Sequence, residues 1–209
     1  MREHHALIIT GGPTPVATAD LPPAEFVVAA DRGADNAASL GLVPDLLVGD
    51  LDSVSTETLT SIEEAGVQIE RHPTDKDQTD LELALAAATN HGATSVTIVA
   101  TATGRPDHAM ANLLTAAAER WAGLEIDLLV DSSRAWVVRS RLDLKVPVGS
   151  LVSLMAVGGR VTGVTSSGLR WPLSDSSLKP GVGRGLSNEV TAMHATVEVA
   201  TGTLLVVCP

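Results

Sequence analysis

The stretch VGDLDSVS, Val48 to Ser55, sets Asp50 and Asp52 one residue apart, after an apolar run and a glycine and before a serine. If extended backbone continues through Leu51, its period of two points both carboxylates to one side, where they suit a hard cation such as Mg2+. They follow PDLLVG, a strand-like run, and ligands of open α/β sheets gather beyond the carboxyl ends of the strands. Taken alone, the same residues read equally as a turn whose aspartate caps a helix starting near Ser55.

Three further polar clusters carry comparable chemistry. HPTDKDQTDLELAL holds Asp75, Lys76, Asp77 and Asp80 just before and inside the first turn of a helix pattern. With Asp77 as cap and Asp80 at the third position, the helix has little need of Asp75 and Lys76. A lysine among acids suits phosphate while the acids hold metal; the alternative is a capped helix with a solvated charge cluster. TATGRPDHAMANLL places Arg105, Asp107 and His108 where a strand feeds a helix, an arrangement that suits phosphate or a nucleotide and also suits a plain cap. AADRGADNA puts Asp31, Arg32 and Gly33 at a fourth strand end, again open to capping. Neither the G-x-x-x-x-G-K-[ST] loop nor G-x-G-x-x-G occurs, so a nucleotide would be held by other means.

Near the C-terminus, SSGLRWPL and GLSNEV stand out because the chain has only three tryptophans, one phenylalanine and no tyrosine. Trp171 between glycine-rich turns is either a core plug or a face for stacking on a heteroaromatic ligand. His4, His5, His72, His91 and His194 show no metal-ligand spacing.

The elements that must position these residues follow from hydrophobic pattern. ALIIT, EFVVAA, DLLVG, VTIVA and IDLLV are apolar at consecutive positions, as strands buried on both faces of a mostly parallel sheet are, and helical segments separate them. One helix is predicted over about Gln78 to Asn90 and stops at Gly92; a second runs from about Asp107 to Ala122, with Met110, Leu113, Leu114 and Ala117 on one face. After Asp131, valine, glycine, serine and threonine dominate, with short strands AWVVR, SLVSLMAV and ATVEVA and no helix pattern. The expected architecture is an α/β N-terminal domain with a mostly parallel sheet over residues 1–131, then a small all-β sandwich over residues 132–209.

Composition narrows the function. The 209 residues are 44% hydrophobic, enough for a sizeable core. The net charge of -11, with 14 lysines and arginines, argues against nucleic acid, whose phosphates need clustered cations, and hints at metal-screened anionic ligands. The longest apolar runs are far short of the roughly 20 residues a membrane span needs, and MREHHALIIT lacks a signal-peptide core, so no membrane association and a cytoplasmic location are expected. Cys208 is the sole cysteine, which excludes an internal disulfide framework.

Together, the order of these clusters resembles the thiamine pyrophosphokinase family. AADRGADNAASLGLVPDLLVGDLDSVS looks like its acidic-glycine stretch, Lys76 to Asp80 its KD-x-TD segment, and Thr103 to Asn112 its TG-R-x-DH-x-x-x-N segment; GLRWPL and SNE resemble its last two signatures. The resemblance implies an α/β domain followed by a β-sandwich, a homodimer with sites at the subunit interface, and transfer of pyrophosphate from ATP to thiamine with Mg2+. It implies Asp50, Asp52 and Asp80 as metal and catalytic groups. On the nucleotide side it implies Asp31, Gly33, Lys76, Asp77, Thr79, Arg105, Asp107 and His108, and on the thiamine side Trp171, Ser187 and Asn188. Two departures touch the nucleotide side: Gly104 runs straight into Arg105 and Pro106, and Arg32 stands where a glycine is common. Another heterocyclic alcohol, such as a hydroxymethylpterin, or a non-catalytic nucleotide or thiamine binder stays open at this level.

Overall fold

The computed structural model describes residues 4–13 and 21–209; Met1–Glu3 and residues 14–20 of the first expected domain lie outside the described residues. The chain divides into two compact units, one comprising Met1–Thr115 and Gly123–Ser132, the other Ala116–Ala122 and Ser133–Pro209.

In the first unit, β1 (His5–Ile9), β2 (Phe26–Ala30), β3 (Leu46–Gly49), β4 (Gln68–Arg71), β5 (Ser95–Ala100) and β6 (Glu125–Val130) form a parallel sheet in the order β4-β3-β2-β1-β5-β6. Leu7, Ile8 and Ile9 are all buried, as are Val28 and Ala29, and Leu47 and Val48, so the central strands are covered on both faces. Helices α1 (Gly33–Ser39) and α2 (Thr56–Glu64) supply Ala34, Ala37 and Ile62 to clusters with Ala29, Leu47, Leu7, Ile9 and Val99. Helix α3 (Asp80–Asn90) buries Leu81, Leu83, Ala84, Leu85 and Ala88 and packs against β1, β2 and β3. The sheet order reverses at β1 and β5, whose carboxyl ends flank the switch point of a doubly wound sheet.

Two sequence expectations change here. The cap of α3 is Thr79, not Asp77: the Thr79 hydroxyl accepts from the Glu82 amide at 3.2 Å, and the Glu82 carboxylate accepts from the Thr79 amide at 2.9 Å. That reciprocal pair satisfies two orphan amides, which a lone aspartate cannot do. The fourth helix, α4, ends at Ala116 and not at Ala122, because Ala118 turns to extended backbone (φ -63, ψ 145) before a 3-10 turn at Glu119–Trp121. Arg139 Nη2 takes the carbonyls of Ala117 and Ala118 at 3.1 and 2.9 Å, so those acceptors need no further helix. On α4 (Pro106–Ala116), Met110 and Leu114 are 63% and 55% exposed, while Leu113 is half-buried and Ala117, just past the helix, is buried, so only part of the apolar stripe read from the sequence is covered in this chain. No helix among the described residues is long and apolar enough to cross a membrane.

The second unit is β-rich. The strands β7 (Ser133–Val138), β8 (Arg141–Leu144), β9 (Leu151–Ser167), β10 (Ser176–Leu178), β11 (Asn188–Glu189), β12 (Ala195–Glu198) and β13 (Thr201–Cys208) pair antiparallel. The 17-residue β9 organises them: it pairs with β10, β11, β12 and β13 along its length. Val152, Leu154, Val161, Val164, Val197, Leu204 and Val206 form its core, with Cys208 beside them. Burial raises the Cys208 thiol pKa, which keeps it neutral and unreactive.

Candidate functional site

Parallel pairing of β2 with β3 sets Ala30 beside Val48, so the two strands deliver their next residues, Asp31 and the Gly49–Ser53 turn, to the same place. Gly49 has φ 143, and a Cβ there would lie 3.0 Å from Asp31 Cβ, so only glycine lets the strand ends come this close. Asp31 itself has φ 48.

The chain does not stay extended at Leu51. This residue is left-handed (φ 64) and buried beside Ala34, Leu47 and Ile62. Left-handed backbone costs about 1–2 kcal/mol for an L residue, and burying a leucine side chain returns about 1.5–3 kcal/mol, so packing of Leu51 holds the turn. Asp50 and Asp52 therefore meet through a turn, in which the Asp52 amide donates to Asp50 Oδ1 at 3.4 Å, and not through strand periodicity.

Asp31, Asp50 and Asp52 each place a carboxylate oxygen within 4.8 Å of the others. Asp31, assigned to the nucleotide side by resemblance, thus joins this group. Its Oδ2 accepts from the Ser53 hydroxyl, while its Oδ1 is buried with no hydrogen-bond partner among the described residues. Asp52 is raised above the usual carboxylate range, first by the negative charge of Asp50, then by desolvation and by Asp31. Asp80 lies outside the triad but feels Asp31 and Asp50; burial raises its pKa, and its ion pair with Lys76 Nζ at 3.1 Å works in the opposite direction. A concentrated set of oxygen donors with one orphaned buried oxygen fits a hard divalent cation.

The other expected residues are distributed unevenly. Asp77 is exposed before α3, and the Thr79 side chain is engaged in capping. Gly33 opens α1 against β1: a Cβ there would stand 2.0 Å from the Ile9 carbonyl oxygen, so packing alone demands glycine. Arg105 and Asp107 pair with each other at 2.5 Å, which lowers Asp107 to about 2, and His108 is exposed in the first turn of α4. The loop carrying Arg105 is tied to the sheet by Asp131, whose Oδ2 accepts from the Ala102 amide at 3.0 Å.

In the β-rich unit, Trp171 is 57% exposed and is not a core plug. Buried Asn188 clamps its backbone: Oδ1 accepts from the Trp171 amide at 3.1 Å and Nδ2 donates to the Trp171 carbonyl at 2.8 Å. The same Oδ1 accepts from the Glu189 amide at 2.9 Å, so both acceptor sites of the Asn188 side chain are used. Ser187 is exposed and left-handed (φ 52), and its amide donates to Ser153 Oγ at 3.1 Å. Sequence reasoning passed over Ser53, Asp35 and Asp131; the only local signal was a serine directly after the paired aspartates.

Fold and site define a two-part α/β and β protein with an acidic centre at the carboxyl edge of a parallel sheet. Residues 21–128 match the model of the thiamin pyrophosphokinase catalytic domain, and residues 139–205 match that of the thiamin pyrophosphokinase vitamin B1 binding domain. Thiamine pyrophosphokinase of Bacillus subtilis is 24% identical over 205 residues, 96% of each chain. A crystal structure of the thiamine pyrophosphokinase from Bacillus subtilis superposes with a TM-score of 0.85 at 23% identity, covering 98% of both chains. The thiamin pyrophosphokinase from Candida albicans superposes at 0.80 with 16% identity, covering 99% of this chain and 89% of that one. The chain belongs to the thiamin pyrophosphokinase family.

Proposed function

We propose that this protein transfers the pyrophosphoryl group of ATP to the hydroxyethyl oxygen of thiamine, giving thiamine diphosphate and AMP. The observation that carries the reading is the convergence of Asp31, Asp50 and Asp52 in a chain matched by both the catalytic and the vitamin B1 binding models. Asp31, Asp50 and Asp52 are the residues that would hold Mg2+. An ion held there would supply charge neutralisation for the phosphates of ATP.

The remaining roles follow from each side chain's surroundings. Asp80 takes the proton of the alcohol: burial raises its proton affinity, and the ion pair with Lys76 works in the opposite direction. Lys76 spends one of its three donors on Asp80 and turns the others to phosphate. Arg105, Asp107 and His108, with Asp77 and Thr79 at the entrance to α3, serve the nucleotide, and Gly33 supports them through packing. Trp171 stacks on a thiamine ring, Asn188 acts by holding the Trp171 backbone, and Ser187, directly before Asn188, serves the same ligand. The enzyme works as a cytoplasmic homodimer with sites at the subunit contact; the exposed Met110 and Leu114 on α4 support a subunit contact of that kind. Offering thiamine, a hydroxymethylpterin and other heterocyclic alcohols in turn, with ATP and Mg2+, tests the acceptor. Diphosphate formation on thiamine is expected; turnover confined to another alcohol would reassign the substrate, and ligand binding without turnover would make the chain a sensor.

A further inference from the structure

Two serines fasten the segment from Asp50 to Ser55 onto the segment from Asp31 to Asp35. Ser53 donates its hydroxyl to Asp31 Oδ2. Two residues on, Ser55 donates its hydroxyl to Asp35 Oδ1 at 2.6 Å and its amide to Asp35 Oδ2 at 3.2 Å. Just before these points the chain carries the left-handed Leu51 and the like charges of Asp50 and Asp52. Repulsion among ionised carboxylates drives such a turn apart, so something must hold it together before a cation arrives.

The bonds do more than cap a helix. Ser55 caps α2 by accepting from the Thr58 amide at 3.2 Å, and that bond does not need Asp35. Asp35 therefore fixes where the acidic turn ends. Burial works to raise the Asp35 pKa, but the Ser55 and Thr58 hydroxyls, the Ser55 amide and Arg32 outweigh it, leaving the group ionised and a strong acceptor. Ser53 occupies one oxygen of Asp31, and the other, buried and without a partner among the described residues, is left for a ligand.

We propose that Ser53 and Asp35 are positioning residues of the carboxylate centre, Ser53 by orienting Asp31 and Asp35 by anchoring the Asp50–Ser55 turn through Ser55. The inference rests on the reading of Asp31, Asp50 and Asp52 as the cation site. Partners of this kind orient ligands, and losing one typically weakens metal affinity about 10–100-fold.

The test is titration of Mn2+, as a stand-in for Mg2+, onto the substrate-free full chain, with free Mn2+ followed by electron paramagnetic resonance. Ser53→Ala and Asp35→Ala each weaken binding about tenfold or more. Ser53→Thr restores affinity, whereas Ser53→Val, of the same shape without the hydroxyl, does not; this pair decides the matter if Ser53→Ala fails to fold. Wild-type affinity in either alanine variant, or in Ser53→Val, overturns the proposal while leaving the cation site standing. No Mn2+ binding by the unaltered protein overturns both.

Discussion

At the carboxyl edge of the parallel sheet, three acids are held within 4.8 Å of one another by a turn with a buried left-handed leucine. In the β-rich unit, Trp171 is held by neutral hydrogen bonds from one buried asparagine. The first arrangement stores electrostatic repulsion that a cation would relieve; the second is complete by itself and presents an aromatic face. The acidic turn is thus strained by like charge, whereas the tryptophan loop is held by neutral bonds. Variants that neutralise the acids or loosen the clamp separate the two.

The largest effect is expected at Asp52. Asp52→Asn should reduce kcat by about two to three orders of magnitude, the scale of a single charge-stabilising group at a transition state. Its stability should move the other way. The folded-state pKa of Asp52 lies above its ordinary value, so the ionised group opposes folding, and that opposition appears as pH rises through the raised value. In metal-free buffer at neutral pH, calorimetry should show Asp52→Asn melting no lower than the parent, and the rise in melting temperature on adding Mg2+ should shrink. A large fall in melting temperature would make Asp52 a structural turn residue.

The tryptophan corner should respond in KM. Trp171→Ala should raise the KM for thiamine about tenfold, the equivalent of one cation–π or stacking contact of roughly 1–2 kcal/mol, with Mn2+ binding unchanged. Asn188→Ala should mimic it and also lower the melting temperature, because the Trp171 amide and carbonyl lose their buried partner at about 1–3 kcal/mol. If Asn188→Ala destabilises without touching KM, the clamp serves the fold and not the ligand.

The smallest effect belongs to the exposed Arg105–Asp107 pair. Asp107 is lowered from 3.8 to about 2 by its hydrogen bond to Arg105, so its contribution is present above the unfolded value and is lost as pH falls toward 2. Solvent screens the pair, and Asp107→Asn should shift the melting temperature only slightly at pH 7, with the difference vanishing near pH 2. A large difference at pH 7 would mean the pair is structural.

Much of this was legible in the sequence, for definite reasons. The central strands declare themselves because a strand covered on both faces must be apolar at every position, as ALIIT and FVVAA are. Edge strand β4, QIER, is mostly exposed and gives no such signal. The overlong reading of α4 came from apolar periodicity that continues past Ala116, while the stop is set by Arg139, 22 residues beyond Ala117. Leu51 misled in the same way, since local spacing suggests extended backbone and a buried side chain imposes a turn. The place of Asp31 beside Asp50 depends on the β2–β3 register, which no local pattern encodes. Trp171 and Asn188 each stand out in the sequence, yet the bonds joining them span 17 residues, a pairing no local pattern encodes.

Transfer of an intact pyrophosphoryl group at the acidic centre can be followed by 31P NMR of protein, ATP, Mg2+ and thiamine. AMP and thiamine diphosphate should accumulate in equal amounts, with Asp52→Asn nearly silent under the same conditions. Accumulation of ADP with thiamine monophosphate, or unchanged ATP alongside a folded parent protein, would contradict it.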